Sequence, residues 1–226
     1  MEEKMIDFHT HTILSDGDLL PSELVRRALV NGVNAIDITD HVDHSNIETV
    51  LKGIVKVSKE LNKYWDIYVM PGVEITHVPL ESFPELVKIA RSKGALVVVA
   101  HGESPVEPVI KGTNRAAIEA GIDILAHPGE ISVEDAALAA EKGVYLEITT
   151  RRGHCTTNKH VCDTALIAGA KLILDTDAHS PENLLTQELR NKTLCDLTPD
   201  ETLRNTIIKN SEELLVHIRK RSKKTK

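Results

Sequence analysis

The sequence predicts an α/β fold, a single seven-stranded (β/α) barrel, from three observations. Short apolar β-like runs alternate with helical patterns at about 20 to 35 residues per unit, which implies a parallel sheet. Seven such units follow one another with no linker or low-complexity segment between them. A His, Asp or Glu stands at the end of nearly every β-like run, as expected where strand C-termini surround one site; an open doubly wound sheet would gather such residues at a single switch point.

The first run leads into Asp7-Phe8-His9-Thr10-His11. Strand alternation puts Asp7, His9 and His11 on one face and Ile6, Phe8 and Thr10 on the other, so two imidazoles converge. Pro21 to Asn31 reads as a helix, with Pro21 in its first turn and Gly32 as its stop. A second β-like run, Asn34 to Thr39, ends at Asp40-His41. Ile47, Leu51, Ile54, Val55 and Leu61 mark the next helix, and Ile67 to Met70 starts a third strand that reaches Gly72-Val73-Glu74.

The helix from Pro84 to Lys93 stops at Gly94, and Ala95 to Ala100 is a buried strand ending at His101. Thr113 or Asn114 is expected to cap a short helix that stops at Gly121. The fifth strand, Ile122 to Ala126, leads into His127-Pro128-Gly129. Ser132 with Asp135 starts the helix to Lys142. Val144 to Ile148, a helix from Asn158 to Ala168, and Leu172 to Leu174 complete the seven units, and the last strand leads to Asp175-Thr176-Asp177-Ala178-His179. The remainder is expected to be helical, with starts at Ser180-Pro181 and Thr198-Pro199.

At 226 residues and 41% hydrophobic content the chain can bury one sizeable core, so residues 1–218 are expected to form one domain. No apolar run reaches the roughly 18 residues of a membrane span, and the acidic start does not resemble a signal peptide, so a cytoplasmic protein without membrane partners is expected. Cys155, Cys162 and Cys195 are odd in number and lack Cys-x-x-Cys spacing, which argues against a disulfide framework and predicts buried thiols. Six Lys or Arg fall in residues 219–226, leaving 21 basic against 34 acidic residues elsewhere. The tail is read as a flexible, solvated end after a helix, and the acidic body disfavours a nucleic-acid partner.

The strand-end residues His9, His11, Asp16, His41, Glu74, His101, His127, Asp177 and His179 are nine N/O ligands, too many for one ion and suited to two or three divalent transition metals. Alternation also places Asp7, Asp37, Asp123 and Asp175 on the ligand face, where they could orient imidazoles or serve as loop-end carboxylates, and Glu147 shares that ambiguity. Arg151 and Arg152, just past the sixth strand, are candidates for gripping a phosphate, with surface arginines as the alternative. His44 and His154 lie near mouth loops. Ser15, Ser104 and Cys155 are not assigned as nucleophiles.

Asp7-Phe8-His9-Thr10-His11 with Ser15-Asp16-Gly17, Ile38-Thr39-Asp40-His41, Gly72-Val73-Glu74, His101, Ala126-His127-Pro128-Gly129 and Asp177-Ala178-His179 together resemble the polymerase and histidinol phosphatase (PHP) superfamily, from Met5 to Ser180. The resemblance implies a distorted, TIM-like seven-stranded barrel with a trinuclear metal site. It implies one ion on His9, His11, Glu74 and Asp177, a second on Glu74, His101 and His127, and a third on Asp16, His41 and His179. Zn, Mn and Fe all fit such ligands. The reaction it implies is phosphoester hydrolysis by a metal-bridging water held by Glu74, His101 and Asp177. A small phosphorylated substrate of the histidinol-phosphatase type is expected; the alternatives are a nuclease or nucleotide phosphoesterase, and a non-catalytic RNA- or protein-binding subunit.

Overall fold

The computed structural model describes residues 4–224. Its strands are β1 (Ile6–Asp7), β2 (Ala35–Ile38), β3 (His41–Val42), β4 (Tyr68–Ile75), β5 (Val97–His101), β6 (Ile124–Ala126), β7 (Tyr145–Thr149) and β8 (Leu172–Asp175). All pair in parallel, in the order β1-β2-β4-β5-β6-β7-β8. β3 pairs with the same β4 as β2 does, so the two are one strand position interrupted at Thr39-Asp40, and the sheet has the seven positions expected. The first and last positions meet through an isolated bridge between Thr10 and Ala178 and the His11 amide on the Ala178 carbonyl at 2.8 Å. The result is a TIM-like barrel, nearly closed and distorted at that seam.

The helices are α1 (Pro21–Val30), α2 (Ile47–Tyr64), α3 (Phe83–Ser92), α4 (Thr113–Ala120), α5 (Val133–Lys142), α6 (Asn158–Ala168), α7 (Gln187–Leu197) and α8 (Glu201–Lys224). Their apolar stripes pack on the outward face of the strands, where Val69, Val98, Leu125, Leu146, Leu172 and Leu174 lie. Ser132 caps α5 by accepting the Asp135 amide at 3.0 Å. The expected cap at Thr113 or Asn114 is not one. Gly112 occupies the cap position of α4, the Thr113 hydroxyl donates to the Ile110 carbonyl, and Asn114 is drawn away to hold the loop after β5.

Inside the barrel the alternate residues Ala35, Met70, Val97, Val99, Ile124, Ala126, Tyr145 and Ile173 form a second apolar cluster with Ile6 and Phe8. Leu214, Leu215 and Ile218 of α8 complete it. α8 therefore plugs the N-terminal end of the barrel, with Asn210 donating to the Leu172 carbonyl at 2.9 Å. Residue 219, where the basic tail is expected to begin, lies within α8. Arg219 lies over the Tyr68 ring at 4.7 Å, Arg221 pairs with Asp123 at 3.0 Å, and residues 219–224 continue the helix. Thr225 and Lys226 of the expected tail lie outside the described residues.

No helix among the described residues is long and apolar enough to cross a membrane. The three cysteines are free; Cys162 is buried as expected, but Cys155 is half-buried and Cys195 exposed on α7.

Candidate metal centre

The inward parity that places Met70, Val99, Tyr145 and Ile173 in the barrel continues upward to Glu74, His101, Glu147 and Asp177 at the C-terminal mouth. Parity alone does not deliver the remaining residues of the cluster. His127 follows an inward-facing Ala126, and its backbone turns left-handed with φ 29°. Among the described residues, the non-glycine positions with positive φ are His77, His127 and Asp177, and all three lie at this mouth. Asp16 hangs on a turn fixed by buried Asp40, which accepts the Thr12 amide at 2.7 Å and the Thr12 and Ser15 hydroxyls at 2.8 Å. Gly17 closes that turn where a Cβ would lie 2.5 Å from the His11 carbonyl oxygen.

All nine residues expected from sequence converge, with Glu74 at the centre. Its Oε2 lies 2.8 Å from His41 Nδ1, 3.3 Å from His9 Nε2 and 3.5 Å from His11 Nε2, and its Oε1 lies 3.7 Å from His127 Nε2. Asp177 Oδ1 stands 3.1 Å from His11 Nε2 and 3.6 Å from His9 Nε2. Asp16 Oδ2 stands 3.2 Å from His179 Nε2 and 3.6 Å from His41 Nε2. Ligand atoms gather as His9, His11 and Glu74; as Glu74, His101 and His127; and as His11, Asp16, His41 and His179. His11 thus stands between two groups, where the expectation gave it to one. Backbone carbonyls hold Nδ1 of His101, at 3.0 Å from Gly102 O, and Nδ1 of His179, at 2.9 Å from Asp177 O, so their Nε2 atoms face the centre.

The donor set fits divalent metal ions. Nε2 of His9, both nitrogens of His11, Nδ1 of His127 and both Glu74 oxygens are buried without a hydrogen-bond partner among the described residues. Each such atom costs about 1–3 kcal/mol if left unsatisfied, and metal ions would satisfy the Glu74 oxygens and one nitrogen each of His9, His11 and His127.

The electrostatics agree. Burial opposes charge on His9, but Glu147, Glu74 and Asp177 raise its pKa well above the ordinary value. Burial, then His41 and His9, pushes His11 well below, and burial with His101 does the same to His127. Burial raises Asp177 to about 7, with the neighbouring Glu74 carboxylate adding to it. Burial also works to raise Glu74, but His9 and His41 hold it well below the usual range.

Glu147 proves to be the residue that orients an imidazole. Its Oε1 is 2.7 Å from His9 Nδ1 and its Oε2 accepts the His127 amide at 2.7 Å. The four aspartates for which that role stood beside a loop-end one do other work. Asp7 accepts from the Thr176 hydroxyl at 2.6 Å, Asp175 accepts the Phe8 amide at 2.7 Å, and Asp123 binds Arg91 and the Val98 amide at the other end of the barrel. Asp37 is buried with neither oxygen hydrogen-bonded, tucked against Gly72, where a Cβ would lie 2.5 Å from its Oδ2.

Arg151 lies near the cluster, its Nε 4.0 Å from Asp177 Oδ2 and its Nη1 donating to Asn183 at 3.2 Å. Arg152 and His44 are exposed, whereas His154 is buried with its ring 4.3 Å from that of His127. Sequence reasoning passed over His77 and Glu107. The Glu107 carboxylate lies 3.0 Å from His77 Nε2, 3.1 Å from His101 Nε2 and 3.4 Å from His154 Nε2. His77 carried a faint signal, being just past the end of β4; Glu107 sits in an irregular loop and carried none.

Over 94% of its length the chain is 46% identical to the uncharacterized protein MJ1295 of Methanocaldococcus jannaschii, of which it covers 99%. A stretch of 100 residues, 41% of this chain and 35% of the relative, is 31% identical to a 5'-3' exoribonuclease of Haemophilus influenzae. Among solved structures, an archaeal ribonuclease P with mature tRNA contains a chain of the same fold, with a TM-score of 0.69, 16% identity, and coverage of 93% of this chain and 90% of that one. The histidinol phosphate phosphatase of Lactococcus lactis, solved with zinc, L-histidinol and phosphate, gives a TM-score of 0.58, 18% identity, and coverage of 95% and 94%. The sequence pattern of the PHP domain matches residues 7–158, two thirds of the chain and the part that supplies seven of the nine clustered residues. The chain belongs to the PHP domain family.

Proposed function

We propose that this chain is a metal-dependent phosphoesterase acting on a small phosphomonoester, with His9, His11, Asp16, His41, Glu74, His101, His127, Asp177 and His179 as the metal ligands. The observation that carries the proposal is the buried Glu74 carboxylate, with neither oxygen in a hydrogen bond, facing imidazoles from β3, the turn after β6 and the segment after β1. Bound there, two or three divalent ions (Zn, Mn or Fe) would supply Lewis acidity toward phosphoryl oxygens and lower the pKa of water. The chain's own residues do the rest. Glu147 fixes the tautomer of His9, the Gly102 and Asp177 carbonyls fix those of His101 and His179, and Arg151 offers a forked donor beside Asp177. Water adds to phosphorus, the P–O ester bond breaks, and the products are an alcohol and inorganic phosphate.

A small substrate is favoured by the acidic body and by the engagement of Arg219 and Arg221 with Tyr68 and Asp123, which leaves these tail arginines docked on the barrel rather than extended as a nucleic-acid arm. The nuclease reading draws on the exoribonuclease match and stays as the second. A screen of the Mn-, Zn- and Fe-loaded protein against histidinol phosphate, mononucleotides and short oligonucleotides separates them. Turnover of phosphomonoesters over oligonucleotides is expected; preference for oligonucleotides would replace the first reading with the second.

A further inference from the structure

Glu107 is a carboxylate on the irregular loop between β5 and α4, outside the nine clustered residues, yet three imidazoles converge on it: His77, His101 and His154. The loop's base is braced. Glu103 accepts the Gly112 and Asn114 amides at 2.9 and 3.0 Å, and Asn114 in turn accepts the Glu103 amide at 2.9 Å and donates to the Pro128 carbonyl at 2.8 Å. The loop is thereby tied to the His127-Pro128-Gly129 turn, and Glu107 is delivered to His101 from a framework that also carries His127.

His101 Nδ1 is taken by the Gly102 carbonyl, which leaves Nε2 as its coordinating atom and the atom that faces Glu107 Oε2 at 3.1 Å. An imidazole that coordinates through Nε2 has no proton there to give, so in the metal-loaded protein the hydrogen bond to Glu107 is lost. A second reason for that carboxylate's position is needed. Two ligand atoms bound side by side to one ion at about 2.0–2.2 Å lie roughly 3 Å apart, the separation of His101 Nε2 and Glu107 Oε2. His77 Nε2 and His154 Nε2 flank the carboxylate at 3.0 and 3.4 Å, and the atoms of His77, His101 and Glu107 gather closely enough to surround a cation. His154 is itself buried, with its Nδ1 unpartnered among the described residues.

We propose that Glu107 is a tenth, loop-borne ligand to the ion that His101 holds, with His77 and His154 as the positioning residues that aim its carboxylate. The inference rests on the metal reading above. It makes the loop between β5 and α4 part of the centre, so occupancy of that ion and the conformation of one wall of the mouth are coupled.

The test is a Co2+ titration of chelator-stripped protein, wild type against Glu107→Gln, followed by visible absorption and by bound-metal analysis. Expected is at least one binding step weakened by about tenfold or more with an altered absorption spectrum, the remaining steps unchanged, and partial recovery in Glu107→Asp. Superimposable isotherms and spectra for wild type and Glu107→Gln would overturn the tenth ligand and leave the nine-residue reading intact. A wild type that binds no Co2+ would instead overturn the metal reading itself. Should the variant misfold, the anomalous difference map of a Co2+-loaded wild-type crystal decides: a peak within about 2.5 Å of the Glu107 carboxylate supports the proposal, and one farther than about 3.5 Å ends it.

Discussion

His9 Nδ1 lies 2.7 Å from Glu147 Oε1, in the fully buried floor of the cluster. A carboxylate only accepts, so Nδ1 carries a proton, and Nε2, facing Glu74 and Asp177 at 3.3 and 3.6 Å, is the nitrogen left to give up its proton to a metal ion. Glu147→Gln replaces that acceptor with an amide that can present its donor side. Metal affinity is expected to fall about 10- to 100-fold, read by competition with a chromophoric chelator. An unchanged affinity would mean that His9 is oriented by its packing alone.

The nine clustered residues were legible because Glu74, His101 and Asp177 continue the alternation that sends Met70, Val99 and Ile173 inward, and because strand ends in a parallel barrel share one mouth. The residues that orient the cluster were less so. Asp7, Asp37, Asp123 and Asp175 share an ordinary loop-or-strand signature with Glu147, and which carboxylate meets an imidazole depends on strand-to-strand offsets that no local pattern encodes. The sequence of α8 shows an apolar-bearing helix with a basic end. Its role as the barrel's floor follows from contacts with β4, β5, β6 and β8, brought together only on folding.

Arg151 holds Asn183 and lies 4.0 Å from Asp177 with its side chain partly exposed, in position to reach a phosphate at the mouth. Arg151→Ala is expected to raise KM for a phosphomonoester about tenfold with a smaller change in kcat, and Arg152→Ala to have little effect. Steady-state kinetics over a substrate range checks both.

Burial, reinforced by Asp123 and Asp175, pushes the Asp37 carboxyl well above its ordinary value. Its folded pKa exceeds its unfolded one, so at pH values above the unfolded pKa near 3.8 the unfolded chain releases a proton that the folded chain keeps, and stability is lost as pH rises toward the folded pKa. Asp37→Asn abolishes this contribution. In chelator-stripped protein, the Tm of the variant minus that of wild type should grow from pH 4 to pH 8; a difference independent of pH would refute a neutral buried Asp37.

Ile218 is fully buried in the inner cluster although it lies one residue before the basic end. Ile218→Ala should cost about 2–5 kcal/mol in denaturant unfolding, whereas removal of residues 222–226 should cost under about 1 kcal/mol. Equal, small losses would show that α8 is not the barrel's floor.

The most direct test of the account is phosphate release from a phosphomonoester by stripped, reloaded and Glu74→Ala protein, with Arg219→Ala as a comparator altered at the opposite end of the barrel. The account predicts that stripping abolishes release, that Mn2+, Zn2+ or Fe2+ restores it, and that Glu74→Ala lowers it at least about 100-fold while Arg219→Ala stays within about threefold of wild type. Release that survives stripping, or comparable losses in the two variants, would contradict it.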